Sequence, residues 1–306
     1  MRVLMVTGDR RLLDKDSSAH ARLEMQESAV ESLDVVYWGK GSMWPRLPDG
    51  PFDVVTSQDP FARGVYAWIV ARRRGARFNV QVHADLHAQS FVRRCIATFI
   101  LRRADSVRVV SEKLKAQVLA FGVRVPITVL PIFVDVATFS SVVLREHTDK
   151  NILWIGRLER EKDPLLAIDV LKEVLREVPD ARLKMVGDGS LRDAVAKRAA
   201  NLPVHTIELT GWSNPISHLD TADVMLSTSP AESYGAVLVE ALAASVAVVS
   251  LDVGIAREAG ATIAPSRAAL AETLVCVLKE GKRGHLNSAL AITKDEWMKR
   301  FRDSLV

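Results

Sequence analysis

Cysteine is scarce in this chain: 306 residues carry two, Cys95 and Cys276, far apart in the sequence. Two isolated thiols form neither a disulfide framework nor a metal-ligand spacing, so both are expected to be buried or inert. A reducing, cytoplasmic compartment follows from the same scarcity. Long apolar runs are missing as well. The most apolar stretch, Val237 to Leu251, is interrupted by Glu240, and nothing reaches the roughly 18 apolar residues of a spanning helix. The opening Met1-Arg2 leads straight into Val3-Leu4-Met5-Val6, too short for the apolar region of a secretory signal. Several catalytic signatures are also absent: no Gly-x-Ser-x-Gly, and no Gly-Lys-Ser/Thr after a glycine-rich loop. His83, Asp85 and His87 are suggestively spaced but lack a fourth ligand, so no metal and no cofactor is expected. What is present is a composition 48% hydrophobic and 25% charged, enough for a large core, at a length that suggests about two domains.

Charge is nearly balanced at +4 but unevenly spread. Residues 1–150 hold 22 Lys+Arg against 16 Asp+Glu, a net +6; residues 151–306 hold 19 against 21, a net −2. The imbalance is sharpest within 61–115, where 12 basic residues face only Asp85, Asp105 and Glu112. Arg72-Arg73-Arg74, Arg93-Arg94 and Arg102-Arg103 dominate it. Such a region either presents a solvated helix face or attracts an anionic membrane surface beside a phosphorylated acceptor. No nucleic-acid partner is expected.

Apolar runs alternate with longer amphipathic stretches almost throughout, which predicts parallel strands separated by helices. In the first half the strands are expected at Val3–Val6, Asp34–Tyr37, Asp53–Thr56, Phe78–Val82, Ser106–Val110 and Ile127–Leu130. After the polar stretch 145–150 the pattern restarts, with strands at Ile152–Ile155, Arg182–Val186, His205–Leu209, Val224–Ser227, Val246–Ser250 and Thr262–Ala264. The expected architecture is α/β, with two Rossmann-like doubly wound domains over 1–145 and 146–290, followed by a packing helix over 291–306. Trp297, Met298, Phe301 and Leu305 give that helix its apolar face.

Ligands of doubly wound sheets bind at the carboxyl ends of strands, so the loops there carry the functional candidates. In Gly156-Arg157-Leu158-Glu159-Arg160-Glu161-Lys162-Asp163-Pro164, a strand ends at a glycine, two separated cations follow, and a helix opens at Pro164. Arg157 offers a planar fork and Lys162 a point charge for phosphate oxygens, beside a helix N-terminus. In Glu232-Ser233-Tyr234-Gly235-Ala236-Val237-Leu238-Val239-Glu240, one carboxylate lies in a loop and another within the following helix. Amides at the helix start provide a further anion site. Carboxylates accept hydrogen bonds from sugar hydroxyls, so Glu232 and Glu240 suit two sugars of one ligand.

These two segments together resemble the signature of the retaining GT-B glycosyltransferases of family 4. Val186-Gly187-Asp188-Gly189, Leu209-Thr210-Gly211-Trp212, the stretch 252–258 and the stretch 130–139 are similar to that family's other landmarks. The resemblance is dense over 127–260 and thinner before it. It implies two domains facing across a cleft, and transfer of a sugar from a nucleotide-diphosphate donor to a glycan or lipid-linked acceptor. The anomeric configuration would be kept, and no metal would be needed. It also implies roles. Arg157 and Lys162 would neutralise the diphosphate, and Glu232 would orient the transferred sugar beside Ser233, Tyr234 and the amides of Gly235, Ala236 and Val237. Glu240 would take the ribose hydroxyls, with Gly156, Gly187, Gly211 and Trp212 around the nucleotide. In the first half, Gly8 stands where the family has a glycine loop, with Arg10 or Arg11 able to substitute by charge, and His83, or else His87, lies near the reacting sugar. A sugar-nucleotide epimerase of similar fold and a degenerate nucleotide-binding protein are the alternatives.

Overall fold

Most strand candidates are short, largely apolar runs such as Val3–Val6 and Val246–Val249, as strands covered by helices on two faces require, although Asn79, Gln81 and Arg108 interrupt two of them. The computed structural model describes residues 1–15, 17–39, 43–46 and 49–306. The chain divides into two compact units, Met1–Phe133 with Ile292–Val306, and Val134–Ala291. The first holds strands β1 (Arg2–Thr7), β2 (Ser32–Tyr37), β3 (Val54–Ser57), β4 (Arg77–Val82), β5 (Ser106–Val109) and β6 (Ile127–Val129). They form one parallel sheet in the order β2-β1-β3-β4-β5-β6. The second holds β7 (Lys150–Ile155), β8 (Ala181–Val186), β9 (Ile207–Gly211), β10 (Val224–Leu226), β11 (Ala247–Ser250) and β12 (Thr262–Ile263). Their order is β12-β11-β10-β7-β8-β9, again parallel. Both units are therefore α/β and doubly wound.

Burial follows from this layering. Val3, Leu4, Met5 and Val6 are fully buried in β1. In the second unit, Ile152, Leu183, Met185 and Val224 of the sheet pack with Ile168 and Leu171 of the helix Pro164–Val174 and with Leu274 and Leu278 of the helix Leu270–Glu280. The last helix, Lys294–Asp303, belongs to the first unit. Its Trp297 and Phe301, with Leu305 beyond it, join Val3, Val54 and Leu130, and the indole N–H of Trp297 donates to the Pro131 carbonyl at 2.7 Å. Each of these aromatic burials contributes about 2–3 kcal/mol.

Three expectations need correcting. The units divide at Phe133/Val134 rather than near 145, because the short helix Val136–Ser140 packs against the helix Ala236–Ala243 of the second unit. Strand β9 starts two residues late, since His205 takes a left-handed backbone (φ 66°) that no strand accommodates. Both cysteines are exposed, on outward positions of the helices Phe91–Leu101 and Leu270–Glu280.

Strand order fixes where a ligand goes. From β1 the first sheet grows one way to β2 and the other way to β3; from β7 the second grows one way to β8 and the other to β10. The crevice beyond the carboxyl ends of such a central pair is the binding position of this architecture. In the second unit that places the segments following Ile155 and Leu226 side by side. They are the two loops singled out in the sequence.

Candidate functional site

The loop after β7 is shaped by backbone contacts with its neighbours. Gly156 donates its N–H to the Val186 carbonyl (3.0 Å) and Leu158 donates to the Asp188 carbonyl (2.8 Å). Gly187 is where these backbones come closest: its φ is 146°, and a Cβ there would overlap the carbonyl oxygen of Gly156. Only glycine meets both demands. Gly187 in turn donates to the Gly211 carbonyl at 2.8 Å, so Gly156, Gly187 and Gly211 lie in one bonded row at the carboxyl ends of β7, β8 and β9. Trp212, next in sequence, is 61% exposed.

Beyond Gly156 the loop turns into the helix Pro164–Val174, with Pro164 at its first position and Asp163 as cap, accepting from the Leu166 N–H at 3.3 Å. Asp163 also pairs with Arg267. The Lys162 stem passes over Gly156, whose added Cβ would lie 3.5 Å from Lys162 Cγ. The Lys162 ammonium forms an ion pair with the Glu232 carboxylate, both ends largely shielded from water. Arg157 points elsewhere, to Glu161 at 2.6 Å, with more than half its side chain exposed.

A single hydroxyl joins the two loops. Thr228, fully buried just after β10, accepts from the Trp154 indole N–H at 2.9 Å and donates to the Lys162 or Asp163 carbonyl, each 2.9 Å away. Trp154 is itself buried in β7. The residue carrying the cation is thereby held by the strand before it and the loop beside it. Replacing Thr228 with valine keeps the shape but strands a buried indole N–H. It is expected to lower unfolding stability by about 1–3 kcal/mol, while serine largely restores it. Denaturant unfolding measures this; a Thr228→Val loss within error of zero would contradict the assigned link.

After Glu232 the chain passes under Gly254. A Cβ on Gly254 would overlap the Tyr234 carbonyl and come within 2.9 Å of Glu232 Cβ, and its φ of 52° is left-handed. Ile255 donates to that same Tyr234 carbonyl at 2.7 Å. Tyr234 is buried, which pushes its phenol well above the usual range, and Ser233 is exposed. Gly235 opens the helix Ala236–Ala243 with no side-chain cap, so the amides of Ala236 and Val237 lie at an uncapped helix start next to Glu232. Glu240 is half-buried in the second turn of that helix.

The structure thus brings Lys162, Glu232, Gly156, Gly187 and Gly211 to the carboxyl ends of the neighbouring strands β10, β7, β8 and β9. Gly8 and His83 belong to the first unit. There the Arg63 guanidinium lies over Gly8, donates to the Trp38 carbonyl (2.8 Å) and pairs with Asp59 (2.7 Å). Arg11 pairs with Asp9 at 2.8 Å, and the guanidinium lying over Gly8 is that of Arg63. His83 follows β4. Burial, followed by the nearby Arg108 charge, pushes its imidazole down to about 3, so it is neutral near pH 7. His87 is exposed and stacks on Phe121, and the Asp85 carboxylate accepts from the His87 and Ala88 amides and from Gln117.

Sequence reasoning missed Thr228, Arg63 and Arg108. Of these, only Arg108 left a sequence signal, a charge in the middle of the short strand Ser106-Val107-Arg108-Val109.

Two doubly wound units, the second with a cation-carboxylate pair at its switch point, define the α/β class of this protein. The family model described as "Glycosyl transferases group 1" matches residues 149–280, and that described as "Glycosyl transferase 4-like domain" matches residues 2–132. The chain belongs to this glycosyltransferase family. The chain is 32% identical over 165 residues to the phosphatidyl-myo-inositol mannosyltransferase of Mycobacterium tuberculosis, a match covering 51% of this chain and 38% of that protein. Among solved structures, Anabaena HepE in complex with UDP superposes with a TM-score of 0.72 at 14% identity, covering 100% of this chain and 96% of that one. The apo lipopolysaccharide outer core galactosyltransferase WaaB gives 0.71 at 14% identity, covering 99% of each. These two likenesses concern the fold.

Proposed function

We propose that this chain transfers a sugar from a nucleotide-diphosphate donor, bound at the carboxyl ends of β7 and β10, to a glycan or lipid-linked acceptor, with retention and without a metal. The observation that carries the reading is the Lys162–Glu232 pair, held between Gly156 and Gly254 at the second sheet's switch point. As the anomeric C–O bond breaks, negative charge grows on the departing diphosphate. Lys162 and Arg157, with the Ala236 and Val237 amides, would stabilise it. Glu232, released from Lys162 as the phosphates arrive, would accept hydrogen bonds from the transferred sugar, and Glu240 from the ribose. The acceptor hydroxyl attacks from the leaving-group side and passes its proton to the diphosphate oxygen. Incubating UDP- and GDP-sugars with glycan and lipid acceptor mixtures tests this. A sugar-acceptor product with unchanged anomeric configuration supports it, whereas donor isomerised without any acceptor would favour epimerisation instead.

A lipid-linked acceptor has support in the first unit. A groove of about 510 Å³ is lined by His87, Phe91, Arg94, Thr98, Arg102 and Phe121. Phe91, which lines it, is 77% exposed, and Val92, next in sequence, is 66% exposed. Apolar tips beside arginines suit an anionic bilayer surface, and such attachment would place the enzyme peripherally on the inner face of a membrane. No helix among the described residues is long and apolar enough to cross one. The mannosyltransferase relative is named for an inositol phospholipid. The chain is expected to float with phosphatidylglycerol-containing vesicles at low salt and to release at high salt. Failure to float at low salt would remove the membrane from the proposal.

A further inference from the structure

Beneath His83, on the face of the first sheet that carries the helix Lys294–Asp303, lies a row of buried polar side chains. Thr56, Asn79 and Gln81 are fully buried, and Ser106 and Ser304 nearly so. Their hydrogen bonds have a polarity that can be read off. The Ser304 carbonyl can only accept, so the Asn79 atom 2.9 Å from it is the amide nitrogen, which also meets Ser106 Oγ at 2.9 Å. Asn79 Oδ1 then faces Thr56 Oγ1 at 2.7 Å, and the threonine hydroxyl must donate to it. With its proton spent, Thr56 Oγ1 accepts from Gln81 Nε2 at 3.0 Å. That turns Gln81 Oε1 towards His83 Nε2, 3.3 Å away, which must carry a hydrogen. Every amide orientation in the row follows from one backbone carbonyl.

We propose that this row is a tautomer lock: Ser304, Asn79, Thr56 and Gln81 hold His83 in the neutral Nε2–H form and leave Nδ1 as an acceptor for a substrate hydroxyl. Arg108 guards the same state. It is Gln81's partner across the β4–β5 register, its Nε and Nη1 are buried without a hydrogen-bond partner, and its guanidinium lies 5.4 Å from the Phe301 ring centre and 5.8 Å from that of Trp297. A buried cation held over aromatic faces repels a proton from the neighbouring imidazole. The other charges acting on His83 are Arg22, from the helix Ser18–Ser28, and Asp9, after β1. Thr56, Asn79 and Gln81 are positioning residues, since His83 alone would touch the substrate. The use of Nδ1 rests on the sugar-transfer reading; the tautomer does not.

The test is ¹⁵N–¹H correlation of the imidazoles in the ¹⁵N-labelled full chain, with His83→Gln identifying the signal among seven histidines. The parent should show protonated Nε2 and unprotonated Nδ1 from pH 5 to 8, without titrating. Thr56→Val, which does not touch His83, frees the Gln81 amide to turn over. It should bring in the Nδ1–H form and cut kcat/KM about tenfold, the scale of one misdirected hydrogen bond. Thr56→Ser should restore both. If Thr56→Val fails to fold, Gln81→Met, which removes the Nε2 acceptor, takes its place with the same expectation. A parent His83 that is Nδ1–H, or that titrates in this range, overturns the lock, as does an unchanged His83 spectrum in the folded variant. A parent with the expected spectrum but no sugar transfer leaves the lock standing and refutes the function.

Discussion

Lys162→Ala is expected to slow sugar transfer by about 100- to 1000-fold, the usual cost of removing one preorganised group aimed at developing negative charge. The lysine has a second task that sharpens the expectation. It neutralises Glu232, whose carboxylate is only 13% exposed. Without Lys162 that carboxylate would face an incoming diphosphate with its own negative charge, so donor binding and turnover should both suffer. Lys162→Arg should not rescue fully, because a planar fork cannot take the place of a compact ammonium passing over Gly156. Arg157→Ala should fall in the same direction but less steeply, since Arg157 is largely in water and its field is screened. Glu232→Gln should act differently, losing turnover more than donor affinity, because a sugar oriented by an amide is held without charge. Initial rates of donor consumption, with circular dichroism to confirm folding, measure all four. A Lys162→Ala enzyme within threefold of the parent would remove the lysine from the mechanism.

Gly187→Ala is expected to cost about 3 kcal/mol or more in the second unit, the sum of a strained backbone and an overlap with the Gly156 carbonyl. Gly281 supplies the control. Its φ is also left-handed, at 62°, but nothing lies within 4 Å of an added Cβ. Gly281→Ala should therefore cost only about 1 kcal/mol, from backbone strain alone. For domains of this size 1 kcal/mol moves Tm by about 2–4 °C, so calorimetry should separate the two variants by several degrees. Because Gly187 sets the position of Gly156, its alanine variant should also weaken donor binding. Equal melting shifts for the two variants would mean that Gly187 is permissive to a side chain and that the close approach is not structural.

Much of the fold was legible because many of its parallel strands are apolar on both faces. Runs such as Val3–Val6 and Val246–Ser250 declare themselves without any partner, and the alternation with helices gives the class. The loops after β7 and β10 stood out for a related reason. Gly156 with Arg157 and Lys162, and Glu232 with Gly235, are local patterns whose spacing has chemical meaning. Residues that act through distant partners were not. Thr228 is one of several small hydroxyl residues in Ser227-Thr228-Ser229, and only the folded chain brings Trp154 and Lys162 to it. Arg63 gave no sign of lying on Gly8, 55 positions earlier. The unit boundary was misplaced for the same reason, since residues 134–145 carry no distinctive composition and their allegiance is decided by packing.

In the proposed mechanism Arg157 and Lys162, beside the helix that starts after Gly235, form a diphosphate clamp in the second unit. Titration calorimetry with a nucleoside diphosphate and its monophosphate, on the parent and on Lys162→Ala, tests it most directly. A clamp predicts that the parent prefers the diphosphate by about tenfold or more, roughly 1.4 kcal/mol, and that the preference collapses in the variant. Equal affinity for the two nucleotides in the parent, or an undiminished preference after Lys162 is removed, would contradict it.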